Sequence, residues 1–195
     1  MGQTDHLFRC IAQLINYHEE DWNILHAESS KIAGWTEDIV KEFYDTLYGM
    51  DEVREIFFDG ERPKLENTLR HWIVSIVSGP KTQLYWNHQW YIALLHVKRG
   101  VKNLYMLGIM NRVQQLFLAK CVANYEDKEK AFRVFNAFLR ISGAVSALIA
   151  ECYDDVQSTS TINGLSRVGM NPALIDRIKS LQIDKMIQEI EREGH

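Results

Sequence analysis

KLENTLRHWIVSIVSG (residues 64–79) and LYWNHQWYIALLHVKRGVKNLYMLGIM (residues 84–110) decide how this chain folds. Each places polar side chains on an otherwise apolar helical face. Helical spacing groups Leu65, Thr68, Leu69, Trp72 and Ile76 on one side of the first stretch, and Tyr85, Gln89, Ile92, Ala93 and His96 on one side of the second. Apolar surface gains about 25 cal/mol per Å² on leaving water, so both faces turn inward and carry Thr68 and His96 with them. By residue type alone, an inward histidine reads as a hydrogen-bonded core residue. On the same footing Thr68 can bond back to the carbonyl of Lys64, and Tyr44 can bond to a backbone carbonyl.

The two stretches resemble the globin domain of the globin-coupled oxygen sensors and their relatives, the single-domain sensor globins and protoglobins. The resemblance runs from about Asp21 to Tyr153. In that lineage the histidine of an H-x-x-x-G step is the proximal haem ligand, which corresponds to His96 with Gly100. The resemblance implies a globin fold with an extra N-terminal helix and a non-covalent haem b, with His96 on the iron and Leu65, Leu69, Tyr85 and Ile92 around the cofactor. On the distal side it implies the tyrosine of an F-Y pair, here Phe43–Tyr44 in VKEFYDTLYG (residues 40–49), with Tyr48 one turn later as the alternative. A small polar residue follows one turn after a leucine, here Thr68 after Leu65. Thr68 and His96 align without a gap, whereas Tyr44 and Thr68 need a small slip in register.

Those residue types fit gas chemistry. O₂ takes on partial negative charge when it binds ferrous haem, and a hydroxyl donor stabilises it; CO gains much less. Tyr44 and Thr68 therefore favour O₂, with CO and NO as the other ligands. Leu65 cannot coordinate iron, which leaves the distal position open or water-occupied. Among the other histidines, His6 and His195 are terminal, His18 and His26 precede the pocket-forming segments, and His71 falls off the Leu65 face. His88 lies about two turns before His96 and roughly 80° around the helix.

Composition sets outer bounds. The 195 residues, 46% hydrophobic with a net charge of −4, suit one domain with extensions and give no electrostatic reason to bind nucleic acid or an anionic membrane. No apolar run approaches the roughly 20 residues of a spanning helix, and MGQTDHLFRC does not read as a secretory signal. Cys10, Cys121 and Cys152 are widely spaced, without C-x-x-C or C-x-x-C-H, which argues against a zinc site, a disulfide framework and covalent haem attachment. The expectation is a cytoplasmic protein with reduced thiols, acting without membrane or nucleic acid.

Along the chain, residues 5–17 read as a helix with Leu7, Ile11, Leu14 and Ile15 inward, and a second helix carries Trp22 and Leu25. Thr36 reads as the N-cap of a helix to Gly49, with Val40, Phe43, Tyr44 and Leu47 facing in. Pro63 starts the next helix and SGP at 78–80 ends it. Further helices span 82–98, 104–122 and 128–153. The last carries two apolar stripes: Ala131, Val134, Phe138, Ile141, Val145 and Leu148, and then Phe132, Phe135, Leu139 and Ile149. A helix apolar over so wide an arc needs covering on two sides; the alternatives are the centre of a monomeric bundle or a dimer face. The resemblance implies a homodimer through helices 104–122 and 128–153. The expected organisation is a sensor globin domain over 1–153, with 1–20 as its N-terminal addition, then a polar linker over 154–171 and an amphipathic helix over 172–195.

The function so expected is reversible gas sensing, with O₂ as the leading ligand and signal passed through dimer helices to a downstream domain or protein. No catalytic output domain fits in this chain. The alternatives are a redox globin, such as an NO dioxygenase or peroxidase-like enzyme, and a haem-free globin-fold module of a stress-signalling complex.

Overall fold

Apolar residues recur at helical spacing along the chain; those of the stripe from Ala131 to Leu148 are buried, whereas Leu65, Leu69, Trp72, Ile92 and His96 are only part-buried and Thr68, expected to turn inward, is exposed. The computed structural model describes residues 3–78, 81–167, 171, 173–174, 177–178, 180–181 and 183–184, and among these every regular element is a helix. The helices are α1 (Gln3–Leu14), α2 (Glu20–Ala27), α3 (Ser29–Ala33), α4 (Thr36–Tyr48), α5 (Asp51–Arg54), α6 (Arg62–Val77), α7 (Gln83–Lys98), α8 (Asn103–Asn124) and α9 (Lys128–Arg167). This is the expected all-α architecture, with an added helix in front.

Within the first unit, Met1–Tyr153, α4 packs on α6 and α8, α2 and α3 pack on α6, and α1 packs on α7. The added helix thus braces the back of α7, where Phe8 stacks on Trp86 with centroids 4.0 Å apart. Helices α8 and α9 run antiparallel: Phe117 stacks on Phe138 at 3.9 Å, and Gln114 Nε2 donates to Ser142 Oγ at 3.0 Å. Small residues at Ser142 and Ala144, both fully buried, allow that approach. The first stripe of α9, Ala131 to Leu148, is buried along its whole length. Asp21 of α2, only 1% exposed, takes both branches of the Arg140 guanidinium at 2.6 and 2.9 Å and ties the N-terminal helices to α9.

Some local expectations are corrected. Trp35, not Thr36, is the N-cap of α4. The short helix α3 runs almost directly into α4, so Thr36 Oγ1 donates back to Ile32 O at 3.3 Å. Leu14 is 85% exposed, because α1 ends there and Asn16 turns the chain with a φ of 54°. The expected linker over 154–171 is helical as far as Arg167. Its Ser, Thr and Asn residues are weak helix formers, but extending an existing helix requires no new nucleus, and Thr161 Oγ1 donates to Gln157 O at 2.8 Å. Asp154–His195 forms a second compact unit. The helix expected over 172–195 falls largely outside the described residues. Within α9, Lys128–Thr161 contains a window apolar enough to cross a membrane, with a mean hydropathy of 1.4, and half of that window is buried. Burial of its inner stripe accounts for that apolarity.

Candidate cofactor site

Facing apolar stripes on α6 and α7 leave a cavity of about 200 Å³ between them. Its walls are Phe43, Tyr44 and Leu47 of α4; Leu65, Thr68, Leu69 and Trp72 of α6; Gln89, Ile92 and His96 of α7; and Arg99 and Val101 at the corner that follows. Met106, Ile109, Met110 and Val113 of α8, with Val145 and Ile149 of α9, close the far end. Protein interiors hold few voids larger than a water molecule. A partly open apolar space of this size is the kind of site in which a ligand binds.

His96 is the only histidine on the wall among the described residues. Its Nδ1 lies 2.8 Å from Ile92 O. A carbonyl can only accept, so Nδ1 carries the proton and Nε2 keeps its lone pair. Burial holds the His96 pKa below its ordinary value, and the positive charge of Arg99 acts in the same direction. The imidazole is therefore neutral, oriented and basic at one nitrogen, which is what a metal-ligating histidine requires.

The glycine of the H-x-x-x-G step has its own physical reason. Gly100 sits at φ 79° just past the end of α7, a left-handed conformation that side chains disfavour. Gly100 N–H donates to Val97 O at 3.0 Å and Val101 N–H to His96 O at 3.1 Å, the paired bonds of a Schellman ending. The glycine stops the helix one turn beyond the histidine and pins the histidine's own carbonyl.

Tyr44, on α4, is 6% exposed and lines the cavity. Burial pushes its phenol pKa up, so the hydroxyl stays protonated, and no protein group hydrogen-bonds it among the described residues. Thr68 also lines the cavity, with its Oγ1 donating to Lys64 O at 3.1 Å. The structure shows the back-bonding reading of Thr68, with its proton committed to the backbone. Tyr48, the alternative distal tyrosine, is outside the cavity wall and stacks on Phe57 at 4.7 Å.

Leu65, Leu69 and Ile92 line the cavity, and Tyr85 does not. Tyr85 packs edge-on against Trp22 at 5.4 Å and Trp86 at 5.1 Å, on the side of α7 away from the cavity. It lies one turn before Gln89, where the inward stripe has already rotated toward α2. The remaining described histidines lie elsewhere: His88 stacks on Tyr91, and His26 Nδ1 contacts Val77 O at 3.0 Å. Sequence reading did not single out Trp72–Gln89, whose Nε1–H to Oε1 bond of 3.2 Å joins α6 to α7 inside the wall. Nor did it identify Arg99. The inward spacing of Gln89 was the available signal; for Arg99 there was none.

These residues fit a haem. The walls are mostly hydrocarbon and aromatic, and among them are a neutral imidazole, the Tyr44 and Thr68 hydroxyls, the Gln89 amide and one cation. The profile of the protoglobin family matches residues 5–160. Among solved structures, the globin domain of a Geobacter sulfurreducens globin-coupled sensor is similar, with a TM-score of 0.69 at 25% identity over 74% of this chain and 96% of that one. The ferric globin domain of E. coli DosC shares the fold, with a TM-score of 0.57 at 13% identity over 77% of this chain and 99% of that one. No curated protein matches the chain.

Proposed function

This chain belongs to the protoglobin family, and from that premise we propose that it is a haem-b gas sensor in which His96 ligates the iron and O₂ is the preferred ligand. The observation that carries the reading is His96 on an apolar cavity wall with its Nδ1 committed to Ile92 O. Haem, when bound, supplies the iron at which a diatomic gas binds reversibly. Tyr44 would donate its hydroxyl proton to the gas ligand, Thr68, with its own proton on Lys64 O, would line the wall beside it, and the apolar walls would limit water. A redox enzyme needs a distal acid–base group, and among the described residues the wall shows no carboxylate and no second histidine, which favours the sensor reading. We assign the protein to the cytoplasm on its free cysteines.

The outer face of the α8–α9 pair supports a homodimer. Leu118 and Val122 of α8 are 41% and 54% exposed, and Phe132 and Leu139 of α9 are 65% and 36% exposed. These belong to the second stripe and its neighbour, the side that a partner subunit would cover. A path leads from His96 to α9 through the backbone: Val101 N–H donates to His96 O, and Tyr153 Oη donates to Val101 O at 2.9 Å. Displacement of His96 is thereby passed to α9 and on to a downstream domain or protein.

An absorption spectrum tests the core of this reading. The purified protein should show a Soret band that shifts reversibly with O₂ in the ferrous state, and His96→Ala should lose the cofactor. Protein that takes up no haemin refutes it.

A further inference from the structure

Arg99 is the only charged side chain among the described residues that line the cavity. Haem b carries two propionates, and a carboxylate at the edge of an apolar cavity needs a cation or water. The side chain of Arg99 is 26% exposed, which puts it at the mouth, where such groups would emerge. Its guanidinium is already held in place: Nε and Nη2 donate to Ile56 O at 3.2 and 3.1 Å. The rest of the fork is taken by a carboxylate, because Nη1 donates to Glu61 Oε1 at 2.5 Å and Nη2 also bonds Glu61 Oε2. Phe58 presents its ring to the guanidinium at 4.9 Å.

Building on the haem-globin reading above, we propose that Arg99 anchors a haem propionate at the cavity mouth, and that the propionate displaces Glu61 from the guanidinium. The exchange is chemically even. A propionate and a glutamate present the same group to the same planar donor fork. The Ile56 carbonyl keeps the guanidinium in position throughout. Glu61 retains the backbone N–H of Phe58 at 3.0 Å and gains solvent when released. The consequence is a fixed orientation for the cofactor, with its carboxylates toward the corner between α7 and α8.

Cofactor loss provides the test. The full chain is reconstituted with haemin or with haemin dimethyl ester, which lacks the charges, and each is mixed with excess apomyoglobin as acceptor. Arg99→Met should speed haemin loss roughly tenfold or more, the scale of a hydrogen bond to a charged group, and leave ester loss nearly unchanged. Glu61→Gln, which removes the competing carboxylate, should slow haemin loss and not ester loss. Arg99→Lys should rescue in part, keeping the charge without the fork. Equal acceleration for both cofactors in Arg99→Met would mean that Arg99 only holds the end of α7, and faster haemin loss in Glu61→Gln would refute the exchange. Wild-type protein that loads neither cofactor refutes the haem reading itself, and this inference with it.

Discussion

Replacing Tyr44 by Phe removes one oxygen atom from the distal wall and keeps the ring. The ring's packing, 4.8 Å from Phe43 and 6.5 Å from Tyr48, is retained. The hydroxyl has no partner among the described residues, and deleting an unpaired polar atom costs the fold little. The effect therefore falls on the ligand. Burial raises the Tyr44 pKa, so at neutral pH the group is a full donor. A hydrogen bond to a partly charged acceptor contributes about 1.5–3 kcal/mol, and at 1.4 kcal/mol per tenfold the O₂ off-rate should rise roughly tenfold to a hundredfold. CO, which carries less charge, should dissociate at nearly the wild-type rate. Stopped-flow displacement of O₂ by CO measures this, with a thermal melt alongside to confirm an unchanged fold. Thr68→Val should have the smaller effect, since the Thr68 proton is committed to Lys64 O, and the double variant should be non-additive. An O₂ off-rate indifferent to Tyr44→Phe in folded protein would refute the distal assignment, and with it the preference for O₂.

Other consequences concern the frame around the site. Arg140→Met leaves the Asp21 carboxylate, 1% exposed, with only the His18 backbone N–H, so denaturant unfolding should show a loss of about 3–5 kcal/mol. Phe132→Glu, at a position 65% exposed, should yield a folded monomer in sedimentation; loss of folding would instead make that stripe core. Arg99 lowers the Glu61 pKa from 4.5 to about 2, so stability from this pair is complete above pH 4.5 and is lost as pH falls toward 2. An acid titration of Glu61→Gln should lack that part of the transition.

What could be read from sequence divides by range. Helix faces depend on spacing within a few turns, so Leu65, Leu69, Ile92 and His96 were placed by residue order alone and all reach the cavity. Tyr85 shares that spacing and fails, because its position is decided by Trp22 and Trp86 packing around it, partners that no periodicity names. The capping role of Thr36 failed for a related reason: it depended on what preceded it, and α3 supplied a carbonyl at Ile32 that captured the hydroxyl. Polar composition at 154–167 misled because a helix already formed upstream continues through residues that would not start one. Arg99 is the clearest case of missing information. An arginine at a helix end reads as a solvated charge, and only the fold brings Ile56 O and Glu61 to it across the cavity mouth.

The H-x-x-x-G step has a structural role beside the ligation proposed for it. Gly100 permits the left-handed turn by which Val101 donates to His96 O, and the same Val101 accepts from Tyr153. Movement of the histidine backbone is thus linked to α9 by two hydrogen bonds, with no flexible side chain between His96 and Val101. A bond network cannot by itself bias an equilibrium. A ligand shifts two states only by its differential affinity for them, so the arrangement matters if gas binding changes the preferred position of His96. The design then predicts where sensitivity lies: at Gly100, which alone in this step requires a positive φ, and at the Tyr153 hydroxyl, the one side-chain donor in the path. The side chain of Val101 is free to vary in polarity and size only as far as the cavity wall allows. Its backbone carries the link, and Arg99 beside it holds the corner from which that link departs.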